Sequence, residues 1–255
     1  MKALIGHTGF VGGTLLQQGG ADAVFNSSTI GNMANQSFDT IWCAGVSAVK
    51  WWANRHPAED WQGIESLLDV LKTVKCRHFV LISTVDVFQK PIDVDESTPI
   101  DTHGLQPYGK HRYDVECFVT EHFPAHTIIR LPGLFGEGLK KNIIYDFMHD
   151  NEVYKIHSES RLQFYDLAGL HSDCMKAVDA GLSCVHFATE PVFVAEIARE
   201  AFGKEFSNHP QGASPNDYDF KTGYASLWGK TGCYIQDKTE VLKRIHQFVQ
   251  SNGAH

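Results

Sequence analysis

The sequence has no long apolar run, no concentration of basic residues and no closely paired cysteines. Because no apolar segment approaches roughly eighteen residues, no membrane-spanning helix is predicted. Lys and Arg are scattered and the formal net charge is −8, so a nucleic-acid partner is not expected. An anionic small molecule can still bind where local geometry suits it. The N-terminal residues lack the basic and apolar regions of a signal peptide.

The six cysteines contain no C-x-x-C pair, and most lie in apolar segments, where a thiol packs as a small hydrophobic group. A reduced protein of the cytoplasm is the simplest interpretation. The fourteen histidines contain no H-E-x-x-H pattern, and no metal site is predicted. With 255 residues, the chain has room for one large domain, or for one domain and a smaller lobe.

What is present begins with a strand, a glycine turn and a helix in immediate succession. Ala3–Ile5 is apolar and leads directly into the glycines. Gly6 suits a tight turn, Gly9 a close backbone approach to a pyrophosphate, and Gly12 the packing of the helix against the strand. The free N–H groups at the start of the helix would then face the anion. The residues predicted to bind a dinucleotide here are Gly6, Thr8, Gly9, Phe10, Val11 and Gly12.

A second strand is predicted at Ala23–Asn26. A carboxylate at the end of this strand would bind the ribose hydroxyls and favour NAD. This chain offers Asn26, Ser27 and Ser28 instead, so we predict NADP as the preferred cofactor and NAD as the alternative. An ordinary polar turn is the competing interpretation of these three residues.

Strands and helices alternate as far as residue 132. Buried strands are predicted at 40–44, 78–82 and 127–130, and Ala44 and Gly45 are small enough for a cofactor to lie against the backbone. Residues 30–39 are too short and polar for a full crossover helix, and an aromatic loop is predicted at 49–52. The alternation predicts a doubly wound, Rossmann-type α/β fold with a parallel sheet.

The pattern changes after residue 132. We predict a dinucleotide-binding domain over residues 1–132 and a smaller substrate-binding lobe over 133–255, with a segment near 185–202 returning to the main sheet. Helices are expected at 141–150, 167–180, 192–202 and 238–250, with a strand near 185–188. Homodimerisation through helices at 57–74 and 107–122 is possible, although these helices can also be satisfied within one subunit.

Tyr108 and Arg112 lie four residues apart at the start of a helix that Pro107 opens. This spacing places the phenol and the guanidinium on one helix face. A cation beside a phenol stabilises the phenolate, which makes the pair a candidate for acid/base chemistry. The alternative is a packed tyrosine beside a solvated arginine.

Four motifs in this order resemble the extended short-chain dehydrogenase/reductase family, which comprises nucleotide-sugar epimerases, dehydratases and reductases. They are Thr8-Gly9-Phe10-Val11-Gly12, Ile82-Ser83-Thr84, Pro107-Tyr108-Gly109-Lys110, and Arg130-Leu131-Pro132 with Gly136. The resemblance implies that Thr84 binds the substrate hydroxyl or carbonyl and that Tyr108 carries the proton. Arg112 stands where the family usually has the Lys that holds the nicotinamide ribose and lowers the tyrosine pKa.

The resemblance implies an NAD(P)-dependent oxidoreductase or epimerase that acts on a hydroxyl or carbonyl of a sugar or nucleotide sugar. It adds Leu131 and Pro132 to the expected cofactor contacts. The expected substrate contacts are Thr84, Asp86, Tyr108, Asn142 and Tyr165. Because Arg112 departs from the family pattern, a catalytically impaired NAD(P)-binding regulatory or scaffold protein is the main alternative. A dehydratase that uses Asp86 is a lesser one, since local hydrogen bonding in the loop is the favoured interpretation of that residue.

Overall fold

The computed structural model describes residues 1–252 and divides into two compact units, each assembled from separate stretches of the chain. The first unit comprises Met1–Gln89, Pro99–Arg130 and Gly169–Val185. The second unit comprises Lys90–Thr98, Leu131–Ala168 and the chain from His186 onward.

Strands and helices alternate through the first half of the chain, as the sequence predicts. The strands are β1 (Lys2–Ile5), β2 (Ala23–Phe25), β3 (Ser37–Cys43), β4 (Lys75–Thr84), β5 (His126–Leu131), β6 (Gly133–Phe135), β7 (Arg161–Leu162), β8 (Phe164–Asp166), β9 (Cys184–His186) and β10 (Val192–Phe193). The α-helices are α1 (Phe10–Gly19), α2 (Lys50–Arg55), α3 (Pro57–Leu71), α4 (Pro107–His122), α5 (Ile143–His149), α6 (Leu170–Asp179), α7 (Val194–Phe202) and α8 (Lys238–Asn252).

Six strands form one sheet in the order β2-β1-β3-β4-β5-β9. β1 pairs in parallel with β2 on one side and with β3 on the other, and β3 pairs in parallel with β4. The chain therefore winds to one side of β1 and then returns to the other side. This reversal is a topological switch point, and sheets of this kind bind ligands beside such a point, at the carboxyl ends of the strands. The predicted doubly wound, Rossmann-type α/β fold is confirmed.

Two short segments show how local sequence sets the connections. Residues 30–39 hold no α-helix, as their length and polarity predict: the 3₁₀ turn Ile30–Met33 is followed by β3, which begins at Ser37. The aromatic loop predicted at 49–52 is wrong, because α2 begins at Lys50. The Val49 carbonyl accepts the N–H groups of Trp52 and Ala53, and the Ala53 side chain is fully buried, so packing overrides a tryptophan pair that favours helix only weakly.

Each unit has its own apolar core. In the first unit the inner residues of the sheet pack with α3 and α4, and in the second unit β6, β8, β10, α5, α7 and α8 pack together. The first core includes Phe38, Ile41, Ile64, Leu68, Leu71, Phe79, Val115 and Val119. The second core includes Phe135, Ile144, Phe164, Val192, Ile197, Val241 and Ile245. Among residues 1–252, no helix combines the length and apolar character that crossing a membrane requires.

Candidate active site

The turn between β1 and α1 is built on glycine. Gly6 has φ +87°, and a Cβ atom there would lie 2.3 Å from the Ala44 carbonyl oxygen at the end of β3. A Cβ atom on Gly12 would lie 2.1 Å from the Gly6 carbonyl oxygen. Both distances are far below van der Waals contact. The two glycines therefore let the helix and two strand ends meet at a spacing that no side chain permits.

The N-terminus of α1 has the features of an anion cradle. Gly9 is the N-cap residue and provides no side-chain cap, and no acidic residue lies in the first turn. Thr8 and Gly9 are exposed, and Phe10 and Val11 are half-buried at the start of the helix. The first N–H groups of a helix have no intrahelical partner and carry partial positive charge. These residues fit the pyrophosphate of a dinucleotide, because no side-chain cap bonds the first N–H groups of α1 and its first turn has no acidic residue to repel a negative charge.

The segment after β2 forms a tight polar turn. The Asn26 Oδ1 atom accepts hydrogen bonds from the Ser28 N–H at 3.0 Å, the Ser28 hydroxyl at 2.7 Å and the Thr29 N–H at 3.2 Å. Ser27 and Ser28 are exposed. The amide oxygen of Asn26 thus holds the turn, which matches the polar-turn interpretation.

Ala44 and Gly45 follow β3 directly. The Ala44 N–H donates to the Ile5 carbonyl at 3.0 Å, which extends the pairing of β1 and β3 past the strand end. A Cβ atom on Gly45 would lie 2.7 Å from the Ile5 Cγ2 atom. These small residues are therefore required by packing against β1, beside the glycine turn.

Tyr108 meets the end of β4. Thr84 is the last residue of that strand, its hydroxyl accepts the Asp86 N–H at 3.2 Å, and its side chain also acts to lower the pKa of the Tyr108 phenol. Gly109 makes this approach possible, since a Cβ atom there would lie 2.1 Å from the Asp86 carbonyl oxygen. The Tyr-Gly pair in the α4 motif thus has a steric reason: the glycine brings the tyrosine down onto the strand end.

Arg112 is buried and is held by Asp60 of α3. Its Nη1 and Nη2 atoms lie 2.5 and 3.0 Å from the two Asp60 carboxylate oxygens, and Nη2 also donates to the Ser47 carbonyl. The side chains are 5% and 1% exposed. The centre of the guanidinium lies 4.1 Å from the Tyr108 ring centroid, so the cation stacks on the ring. Tyr108 and Arg112 lie on a common helix face, as predicted. The second partner of Arg112 is the Asp60 carboxylate, which the sequence did not reveal.

This ion pair changes what Arg112 offers to a ligand. Burial acts to raise the pKa of the Asp60 carboxyl, but hydrogen bonds from Arg112 and His111 outweigh it and leave the pKa below its ordinary value. The His111 Nδ1 atom lies 2.7 Å from the same carboxylate. Two guanidinium nitrogens of Arg112 thus already donate hydrogen bonds to protein oxygens, and the Asp60 carboxylate compensates the positive charge of Arg112.

A second cation lies near Tyr108, on α2. The Asn54 side-chain oxygen accepts the Tyr108 backbone N–H at 2.9 Å, which fixes α2 against the start of α4. Lys50 lies one turn earlier on the same face of α2, and its ammonium lies 2.8 Å from an Asp86 carboxylate oxygen. The sequence did not single out Lys50, Asn54 or Asp60, because each belongs to a segment that has an ordinary local explanation.

The Tyr108 phenol, 7% exposed, has a pKa above its ordinary value. Burial is the largest cause, and the Asp86 carboxylate acts in the same direction. The charges of Arg112 and Lys50 and the side chain of Thr84 oppose this rise without cancelling it. The phenol therefore keeps its proton at neutral pH.

The remaining predicted site residues lie in the second unit. Asn142 is the N-cap of α5: its Oδ1 atom accepts two backbone N–H groups and its Nδ2 atom donates to the Leu134 carbonyl at 2.8 Å. Tyr165 is fully buried in the core, with its ring against Phe187. Both side chains thus have structural partners within that unit. Leu131 ends β5 and is buried, and Pro132 follows it, half-buried.

Solved structures share the fold over nearly the whole chain. The dTDP-4-dehydrorhamnose reductase of Bacillus anthracis in complex with NADP is 16% identical, with a TM-score of 0.70 over 98% of this chain and 99% of that chain. The UDP-glucose 4-epimerase of Thermotoga maritima with UDP-glucose is 15% identical, with a TM-score of 0.69 over 98% of both chains. TunA, an NAD-dependent NDP-hexosamine 5,6-dehydratase of tunicamycin biosynthesis, is 15% identical, with a TM-score of 0.71 over 98% of both chains.

No protein-family model matches the sequence, and no curated protein matches it either. At 15–16% identity the likeness to these solved structures concerns the fold. The resemblance drawn from the glycine turn, the Ser-Thr strand end and the Tyr-Gly helix start is confirmed at that level. This chain has the fold of the NAD(P)-dependent nucleotide-sugar enzymes of the extended short-chain dehydrogenase/reductase type.

Proposed function

We propose that this protein is an NAD(P)-dependent oxidoreductase that interconverts a carbonyl and a hydroxyl on a sugar or nucleotide sugar, with Tyr108 as the acid/base group. The observation that carries the proposal is the buried Tyr108 phenol, whose pKa is influenced by Thr84, the last residue of β4. The solved structures of the same fold include a reductase, an epimerase and a dehydratase of nucleotide sugars. Reductase and epimerase chemistry share this hydroxyl–carbonyl step.

The cofactor contacts follow from the glycine turn. The N–H groups at the start of α1, with Gly6, Gly9 and Gly12, would hold the pyrophosphate. Ser27 and Ser28 would contact the adenosine ribose or its 2′-phosphate. Because no carboxylate follows β2 at this point, nothing there repels a phosphate, and NADP remains the preferred cofactor with NAD as the alternative. When bound, the nicotinamide supplies or accepts the hydride.

Tyr108 and Thr84 together handle the substrate oxygen. In the reducing direction the Thr84 hydroxyl donates a hydrogen bond to the carbonyl oxygen, and Tyr108 gives that oxygen its phenolic proton as negative charge develops there. The product is the alcohol, and the phenolate regains its proton from solvent. In the oxidising direction the phenolate must form first. A pKa above the ordinary value therefore favours reduction at neutral pH.

Lys50 takes part of the electrostatic role that the family assigns to the lysine four residues after the tyrosine. Arg112 occupies that sequence position, but its charge is compensated by Asp60. Lys50 neutralises Asp86, whose negative charge otherwise opposes phenolate formation at Tyr108. The two cations thus have separate roles: Arg112 holds α3 to α4 and stacks on the phenol ring, and Lys50 screens the carboxylate beside the site.

The test is carbonyl reduction by the full chain, followed as loss of NADPH absorbance over a panel of keto-sugar nucleotides and free keto-sugars. Tyr108→Phe should lose at least about 100-fold in rate while retaining NADPH affinity, since one phenol oxygen is removed without loss of packing. Tyr113→Phe, on the same helix and half-buried, is the matched control and should retain activity. Equal rates for Tyr108→Phe and the unchanged protein would overturn the assignment.

The Asp60–Arg112 pair favours a second candidate function. A guanidinium already bound by a carboxylate is a weaker ribose ligand than a free ammonium, and this supports an NAD(P)-binding regulatory or scaffold protein without turnover. Titrations with NADPH and NADH, followed by nicotinamide fluorescence, separate the two. Tight binding with no Tyr108-dependent turnover on any substrate would favour the second candidate. Absence of binding at micromolar concentrations would exclude both.

A dehydratase step would require Asp86 to remove a proton next to a transient ketone. The ammonium of Lys50 lies on that carboxylate, and a carboxylate held by a cation is a weaker base. Asp86→Asn would stop such a dehydration while leaving hydride transfer detectable. Retention of product formation in this variant would limit Asp86 to its electrostatic role.

A further inference from the structure

We propose that His157, Glu159 and His209 of the second unit bind a divalent transition-metal ion, with Zn²⁺ as the best fit. One nitrogen from each imidazole and one carboxylate oxygen lie within 4.8 Å of one another. The site is independent of the glycine turn and of Tyr108, and it does not rest on the proposed catalytic function. The sequence predicted no metal site, because His209 follows His157 by 52 positions and no short motif links them.

The distances suit capture of a small ion. In a tetrahedral zinc site with metal–ligand bonds of about 2.0–2.2 Å, neighbouring ligand atoms lie about 3.3–3.5 Å apart. The ligand atoms lie within 4.8 Å of one another, and their side chains have room to adjust, since Glu159 and His209 are exposed and His157 is half-buried. The two rings already meet edge to face, with centroids 4.7 Å apart.

The backbone holds the two ligand segments together in advance. The Ser158 N–H donates to the Asn208 carbonyl at 2.9 Å, which places the neighbours of His157 and His209 side by side. The Asn208 side chain donates to the carbonyls of Tyr154 and Ile156 at 2.9 and 2.8 Å. The Ser158 carbonyl in turn accepts an N–H from the first turn of α7. An ion would therefore join two segments that are already ordered, and this lowers the entropic cost of binding.

The donor set selects the metal. Two imidazoles with one carboxylate suit zinc, nickel and copper, whereas magnesium and calcium prefer oxygen ligands alone. The Ser158 hydroxyl lies 3.5 Å from the His209 Nε2 atom, and its side chain is buried. This hydroxyl can orient the ring from outside the coordination sphere. Solvent reaches the exposed ligands, so water would complete the coordination, and the ion would tie residues 157–159 to residue 209.

Isothermal titration of the untagged, chelator-treated full chain with ZnCl₂ tests the site. One ion per chain should bind, MgCl₂ should give no heat, and saturating zinc should raise the melting temperature. His157→Ala and His209→Ala should each weaken zinc binding at least about tenfold and abolish the melting shift. Glu159→Gln should weaken it less, because it keeps the shape and removes only the charge. His246→Ala, an exposed histidine on α8, is the control and should bind as the unchanged protein does.

Two results would overturn the proposal: no saturable zinc binding, or binding that both histidine variants retain. Circular dichroism of the metal-free variants separates loss of the site from loss of folding. If His157→Ala unfolds, His209→Ala on the neighbouring segment and Glu159→Gln still decide the matter. These measurements need neither NADPH nor a sugar, so a failure here says nothing about Tyr108, and a failure of catalysis says nothing about zinc.

Discussion

Removing one member of the Asp60–Arg112 pair at a time should destabilise the protein unequally. The two side chains are almost completely buried and joined by two hydrogen bonds. Breaking a buried pair leaves an uncompensated charge, at a cost of about 3–5 kcal/mol. Asp60→Leu incurs this full cost, since the Arg112 guanidinium keeps only the Ser47 and Tyr108 carbonyls and the Tyr108 ring as partners.

Arg112→Met should cost less, about 2–3 kcal/mol, because the Asp60 carboxylate retains His111 at 2.7 Å. The retained contact with His111 is the reason that this loss should be smaller than the loss in Asp60→Leu. The double variant Asp60→Leu/Arg112→Met removes both charges and fills the space with apolar groups. Its unfolding free energy should return to within about 1 kcal/mol of the unchanged protein.

Urea denaturation of the four proteins at one neutral pH measures this double-mutant cycle. With a slope of about 2–3 kcal/mol per molar urea, Asp60→Leu should lower the midpoint by about 1–2 M. The reasoning fails if Asp60→Leu costs less than about 1 kcal/mol, as an exposed ion pair would. It also fails if the double variant loses the sum of the two single losses, because the residues would then act independently.

Three further predictions follow from the same contacts. Lys50→Met should raise the pKa of Tyr108 and slow alcohol oxidation at fixed pH by up to about fivefold, the range expected for a partly exposed ion pair, while carbonyl reduction changes less. The pH dependence of the rate in both directions checks this, and the added substitution Asp86→Asn should cancel the effect. The folded-state pKa of Asp60 lies below its ordinary value of 3.8, so the stability that Asp60 contributes is present above that value and is lost as the pH falls through the folded-state pKa. Urea midpoints measured from pH 6 to pH 2.5 should therefore fall less steeply in Asp60→Leu/Arg112→Met than in the unchanged protein. Gly63 lies inside α3, and a Cβ atom there would meet no atom within 4 Å, so Gly63→Ala should stabilise the protein by about 0.5–1 kcal/mol in thermal unfolding. Gly12→Ala should instead destabilise the protein and abolish NADPH binding.

Local rules explain which elements the sequence predicts well. Pro57 and Pro107 begin their helices at the first position, where the missing N–H costs nothing. Gly6 and Gly12 can be predicted because the turn after β1 needs φ +87° at Gly6, and because a Cβ atom on Gly12 would strike the Gly6 carbonyl oxygen. α2 escaped prediction because its stability comes from burial of Ala53 and from the Asn54 contact with α4, and neither appears in a short sequence window.

The candidate site shows where such local rules end. A pair four residues apart on α4 is visible in the sequence, but Asp60 precedes Arg112 by 52 positions. An acidic residue in the first turn of a helix also has a sufficient local reason, since it complements the helix dipole, and this conceals its long-range role. Lys50 is concealed in the same way, between Val49 and two tryptophans that suggested packing.

Arg112, at the position where the resemblance leads one to expect a lysine, has a structural role of its own. A guanidinium presents its donors as a planar fork, which matches the two oxygens of Asp60 and leaves a flat face for the Tyr108 ring. A lysine is a point charge that satisfies one oxygen and cannot stack. A chain that uses this position to join α3 to α4 gains from arginine, whose charge still acts to lower the pKa of Tyr108. Lys50, held beside Asp86 by α2, adds a smaller effect in the same direction.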